Sequence, residues 1–135
     1  MLEVECYCTL VRRSARALTE FYDIALAPSG LRVTQYSLLR AIERLEKPSL
    51  TLLAESTGLD RSTLGRNLRV LEKAGFVVIR PGIDERTRIV ELKPQARHAL
   101  KVARPLWTKA QTKVAAAVPA QARQYLRTLT KAVEN

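Results

Sequence analysis

The stretch from Ser49 to Leu92 constrains this chain more than any other. It reads as a short helix carrying Leu52, Leu53 and Ala54, a break at Gly58, and a second helix from Asp60 to about Ala74. Gly75 follows, a residue suited to the left-handed backbone that ends helices. The β-branched run Phe76-Val77-Val78-Ile79 reads as a strand, Pro81-Gly82-Ile83-Asp84-Glu85 as a turn-rich tip, and Arg88-Ile89-Val90-Glu91-Leu92 as the returning strand. Within the second helix, at about 100° per residue, Leu64, Leu68 and Leu71 cluster on one side. Ser62, Arg66, Arg69 and Lys73 fall opposite them. One face is all leucine and the other is all hydrogen-bond donors.

A helix, a tight turn, a helix with a donor face and a two-stranded hairpin make the winged helix-turn-helix pattern. The flanks are helical too. A first helix is expected from about Glu3 to Leu26, before Pro28-Ser29-Gly30, with Leu10, Ala17, Leu18, Phe21 and Ile24 at helical spacing. Thr34 is the expected cap of a second helix, with Leu38, Leu39, Ile42 and Leu45 on its inner face; Lys47-Pro48-Ser49 ends it, and Ser49 caps the next. Pro94 opens a long helix to Ala117 with a kink expected at Pro105, and Pro119 opens a last one containing Tyr125, Leu126, Leu129 and Val133. The fold class is therefore mainly α with a small β-hairpin wing. It is one domain, residues 1–135, with a winged helix-turn-helix over about 31–94 between terminal helices over about 1–30 and 95–135.

Composition agrees. Only 5% of residues are aromatic against 47% hydrophobic, so the core is aliphatic, as in packed helices. The net charge of +10 favours a polyanionic partner, nucleic acid first. No apolar run approaches the roughly 18 residues a membrane span needs, and the N-terminus lacks a signal peptide's pattern, so a cytoplasmic protein without a membrane partner is expected. No Ser-His-Asp set, phosphate-cradling Gly loop or metal signature stands out, which speaks against an enzyme, a cofactor or a metal site. His98 is the sole histidine and reads as a helix-surface residue. A helical module for protein contacts is disfavoured by the donor-only face, since protein interfaces bury apolar anchors.

For DNA, Arg61, Ser62, Thr63 and Arg66 lie where a recognition helix reaches base edges, and arginine can read guanine through two parallel hydrogen bonds. Arg69 and Lys73 lie further along and suit phosphate. Gly65 leaves room on that helix for close approach. Arg80, Arg86 and Arg88 make the hairpin basic enough to reach a minor groove. Asp84 is expected to orient Arg86 through a charge-assisted hydrogen bond, with an Asx turn as the alternative.

These residues resemble the MarR family of bacterial regulators over nearly the whole chain. The matching strings are Leu31-Arg32-Val33-Thr34-Gln35-Tyr36, Leu53-Ala54-Glu55, Leu59-Asp60-Arg61-Ser62-Thr63-Leu64, Leu71-Glu72-Lys73-Ala74-Gly75-Phe76-Val77 and Asp84-Glu85-Arg86-Thr87-Arg88. Lys93-Pro94-Gln95-Ala96 departs from the family pattern, at the start of the long helix. The resemblance implies a homodimer whose terminal helices intertwine, a palindromic double-stranded DNA operator, and repression relieved by a small molecule or an oxidant. Leu106, Trp107, Val114, Val118, Leu126, Leu129 and Val133 have no evident partner in a small winged-helix core, which a second chain would supply. The stretch Cys6-Tyr7-Cys8-Thr9-Leu10 resembles the organic-hydroperoxide-sensing branch. There Cys8 falls on the reactive cysteine, Arg16 on a shared arginine, Tyr22 on a cysteine-contacting tyrosine and Tyr36 on a shared tyrosine. Val33 and Arg12 stand where that branch has further aromatic hydroxyls. The other implied effector is an aromatic acid in a crevice lined by Arg16, Tyr22 and Tyr36.

Overall fold

The computed structural model describes residues 5–84 and 86–134. Helix α1 spans Tyr7–Leu26, and a 3-10 turn follows at Ala27–Ser29. Helices α2 (Val33–Leu45), α3 (Leu50–Thr57) and α4 (Arg61–Lys73) lead into strands β1 (Val77–Pro81) and β2 (Arg88–Leu92). Helices α5 (Pro94–Ala117) and α6 (Ala122–Val133) complete the chain.

Local chemistry sets most boundaries. Ser49 Oγ accepts the amide of Leu52 at 3.1 Å and starts α3; Gly58, at φ +72°, ends it. Asp60 caps α4, its carboxylate accepting the Thr63 amide at 2.8 Å and the Thr63 hydroxyl at 2.9 Å. Those two bonds hold the Asp60 pKa below the ordinary carboxylate value. Beyond α4, the Phe76 amide donates to the Leu71 carbonyl at 2.9 Å across Gly75, which sits at φ +85°. A positive φ strains any residue with a side chain, so the backbone itself favours glycine here.

Four boundaries differ from the sequence reading. Helix α2 starts at Val33 with Arg32 as its cap, not Thr34. The free amides are satisfied from elsewhere: Gln35 reaches back to the Arg32 amide at 3.0 Å, and Asp23 of α1 accepts the Val33 amide at 2.8 Å. Helix α1 begins at Tyr7, with Cys6 in extended backbone at its cap; Glu3 lies outside the described residues. Helix α6 starts at Ala122, three residues past Pro119, whose carbonyl accepts the Ala122 amide at 3.0 Å in the preceding turn. The strand expected over 76–79 runs over 77–81, and α5 continues through Pro105.

The wing is antiparallel, in register from Val77 opposite Leu92 to Pro81 opposite Arg88. Its base is tied to the helices. The Val90 amide donates to the Pro48 carbonyl at 2.9 Å, beside a bridge between Ser49 and Ile89, so the turn before α3 serves as a third edge. Leu39, Ile42, Leu53, Leu64, Leu68, Leu71, Val77, Val90 and Leu100 form one buried aliphatic core, with Tyr36 in it. Each such side chain contributes about 1.5–3 kcal/mol by leaving water. The core lies in the 31–94 lobe and the first half of α5, joined by Leu26 at the end of α1. Helix α6 buries no residue at all. Among the described residues no helix is long and apolar enough to cross a membrane.

Candidate nucleic-acid interface

Helix α4 separates its two faces as its spacing requires. Leu64, Leu68 and Leu71 are buried, while Arg61, Ser62, Arg66, Arg69 and Lys73 are exposed. Thr63, half-buried, is committed to the cap. The donors near the N-terminus of α4 are held rather than loose. Arg61 Nη2 donates to Thr51 Oγ1 of α3 at 2.6 Å, and Arg66 Nη2 lies 3.4 Å from Thr63 Oγ1. Arg69 folds back so that Nε donates to the Gly65 carbonyl at 3.2 Å.

That fold-back does not depend on Gly65. A Cβ there would sit 3.6 Å from Arg69 Nη2, an ordinary contact. The glycine is therefore not demanded by the chain's own packing, and its backbone is helical. Gly65→Ala should raise thermal stability, by up to about 1 kcal/mol of helix propensity. If the bare backbone matters for approach to a duplex, the same variant should bind DNA less well. A stabilised variant with unchanged DNA affinity would assign Gly65 no part in the interface.

The wing's arginines are not equivalent. Arg80 is paired across the hairpin with Glu91 at 3.5 Å, and Lys47 approaches the same carboxylate at 3.9 Å. Arg80 thus belongs to the wing's stem. Arg86 and Arg88 are exposed and make no ion pair among the described residues. Asp84 does not hold the Arg86 guanidinium. Its carboxylate accepts the Arg86 backbone amide at 3.1 Å, the Asx turn, and so shapes the loop instead. The local geometry wins because an amide two residues on is already within reach of the carboxylate, whereas a long exposed guanidinium must be ordered to bind it.

The residues that resemblance groups as an effector site do not meet within one chain. Cys8 and Tyr22 lie on the same helix about 21 Å apart along its axis. Tyr22 donates to Gln111 of α5, and partial burial raises its pKa against the opposing charge of Arg123. Arg16 is exposed on α1. Tyr36 is buried, its ring centroid 5.9 Å from that of Trp107. Sequence reasoning missed what surrounds it. The Arg40 guanidinium lies 5.9 Å from the centroids of both the Tyr36 and Trp107 rings. These three open onto a cavity of about 520 Å³ that Arg44, Ser56 and Asn67 also line. The signal was present as Arg40 and Arg44, four apart on the helix that carries Tyr36.

Both thiols are exposed, and Cys6 stands at the cap of α1. The Thr9 amide and hydroxyl at the start of α1 hold its pKa below the ordinary thiol value.

A second surface is apolar. Tyr7, Leu10, Leu18, Tyr125, Leu126 and Leu129 line a groove of about 640 Å³ between α1 and α6, with almost nothing polar in it.

Comparison with known proteins places these features. Residues 29–86 match the family model described as MarR family. The transcriptional regulator SarZ of Staphylococcus epidermidis is 36% identical over 86 residues, 63% of this chain and 58% of that protein. SarZ of Staphylococcus aureus is 35% identical over 91 residues, 67% of this chain and 62% of that one. The chain thus matches less than two thirds of the length of these two relatives. The M. tuberculosis transcriptional regulator MosR, solved in complex with DNA, superposes with a TM-score of 0.88 at 40% identity, over 95% of this chain and 96% of that one. With its helix-turn-helix and first wing strand inside the matched region, and 95% of its length superposed on a relative 40% identical to it, this chain belongs to the MarR family.

Proposed function

We propose that this protein is a dimeric, sequence-specific DNA-binding transcriptional regulator of the cytoplasm, a repressor of a palindromic operator that a small ligand releases. The observation that carries the reading is the two-faced α4. Its leucines are consumed by the core, and Arg61, Ser62, Arg66, Arg69 and Lys73 are left as an exposed donor surface that forms no ion pair among the described residues. Such a surface, beside a wing ending in Arg86 and Arg88, complements a major groove and the adjoining minor groove. That MosR was solved with DNA supports the same reading.

The test is selection of duplexes from a random pool, followed by titration of wild type and Arg66→Ala on the selected sequence. Loss of about 1–3 kcal/mol with relaxed preference at one base pair is the expected result for a base-reading arginine. A uniform loss on all sequences would make Arg66 a phosphate contact. Failure of the wild type to select any sequence would overturn the reading.

For the effector, the cavity beside Tyr36, Trp107 and Arg40 suits an aromatic acid, its ring against the aromatic pair and its carboxylate on Arg40 or Arg44. It reaches Asn67 of α4, so an occupant would press on the DNA-reading helix itself. Thiol oxidation is the second reading, supported by the lowered pKa of exposed Cys6. The resemblance favours Cys8, the local chemistry Cys6. Release of DNA by an organic hydroperoxide that disappears in Cys6→Ser or Cys8→Ser would select this reading and name the thiol.

A further inference from the structure

The tip of the wing holds an isoleucine with nothing to pack on. Ile83 is 108% exposed, beyond any other large apolar side chain among the described residues. The loop fixes it there. The Gly82 amide donates to the Thr87 carbonyl at 2.6 Å, and the Thr87 amide to the Asp84 carbonyl at 2.8 Å. With the Asp84 carboxylate on the Arg86 amide, these bonds tie Gly82 and Asp84 to Arg86 and Thr87 and leave Ile83 outside them. Gly82 is packed tightly beneath: a Cβ would lie 3.2 Å from both the Thr87 carbonyl oxygen and the Ile89 side chain. The turn is thus seated on Ile89 through Gly82, and Ile83 is held clear of it.

Single exposed apolar residues are ordinary on protein surfaces. Ile83 differs in its surroundings. Arg86 and Arg88 flank it, exposed and without ion pairs among the described residues, and no exposed large apolar side chain lies near it in sequence between Val70 and Val118. A protein partner would call for apolar neighbours and few free charges. A polyanion with an apolar cleft between its charges fits better, and the minor groove of DNA is that object, walled by sugars and rimmed by phosphates.

We propose that Ile83 is an apolar wedge that the wing presses into the minor groove, against the sugar edges and a base step, while Arg86 and Arg88 hold the phosphates on either side. This rests on the DNA-binding reading above. The wedge has a sequence consequence. A guanine in that groove presents its 2-amino group, which an isoleucine would strip of water without offering an acceptor. A·T pairs present no such donor, and flexible pyrimidine–purine steps open most readily to an inserted side chain. Ile83 therefore selects A·T-rich sequence at the wing without a hydrogen bond to any base.

The experiment takes a duplex that wild-type protein selects from a random pool. It compares wild type with Ile83→Ala on that duplex and on one with G·C pairs at the wing's position. Permanganate reactivity of the thymines at that step reports unstacking. Expected are a preference of about tenfold for A·T and a rise in thymine reactivity with wild type, both lost in Ile83→Ala. Because Ile83 contacts no core residue, the variant should keep the wild-type melting temperature and its base preference under α4. Ile83→Ala within twofold of wild type on both duplexes, while wild type still selects its sequence, would overturn the wedge alone. A wild type that selects nothing would overturn both readings.

Discussion

A Leu126→Asp variant is expected to stay folded, to sediment as a monomer, and to lose operator affinity by about 10²–10⁴-fold. Leu126 is half exposed in the single chain and lies in the α1–α6 groove, so aspartate there costs the monomer little. In a dimer the same carboxylate would be buried in an apolar seam without a partner, a cost of several kcal/mol. The size of the binding loss follows from geometry. Two half-sites joined on one molecule bind in concert, and a monomer holds only one. Sedimentation velocity and a DNA titration read the two effects separately. A Leu126→Asp protein that remains dimeric would place the interface elsewhere, and a monomer with undiminished affinity would remove the palindrome from the account.

Leu68→Ala should destabilise the protein by about 2–5 kcal/mol. Leu68 is 1% exposed and lies on the face of α4 that packs into the core between α2, α3 and the wing. Removing its branched end leaves a void that neighbouring leucines, themselves fully packed, fill only in part. Against a total stability of about 5–15 kcal/mol for an ordinary domain, the loss is large. Urea denaturation at fixed protein concentration measures it, since the proposed dimer would make apparent stability concentration-dependent. A cost below about 1 kcal/mol would mean that α4 is not anchored by its leucine stripe.

The legible parts of the sequence were those where one residue type decides local geometry. Ser49, Asp60, Gly58 and Gly75 mark where α3 and α4 start and stop, because caps and left-handed turns depend on a few atoms. The leucine and donor faces of α4 follow from helical spacing alone. Thr34 misled because the amides before α2 are satisfied by Gln35 and, ten residues back, by Asp23 of α1. A contact from a neighbouring helix is invisible to local pattern. Asp84 misled in the opposite direction, since a local amide outcompeted the more distant guanidinium. The cavity beside Trp107 needed α5 folded against α2, which no spacing specifies. Arg80 looked like its neighbours until the hairpin register brought Glu91 to it.

The most direct test of the central claim is a hydroxyl-radical and major-groove methylation footprint of the wild-type protein on the DNA upstream of its own reading frame. Two recognition helices of one dimer predict two protected major-groove patches about one helical turn, 10–10.5 base pairs, apart or a multiple of it, each with minor-groove protection on its outer side where a wing lies. A discrete footprint of that symmetry would establish the dimeric winged-helix reader. Protection spread evenly along the fragment, vanishing with modest salt and indifferent to sequence, would contradict it and leave only a basic protein attracted to phosphates.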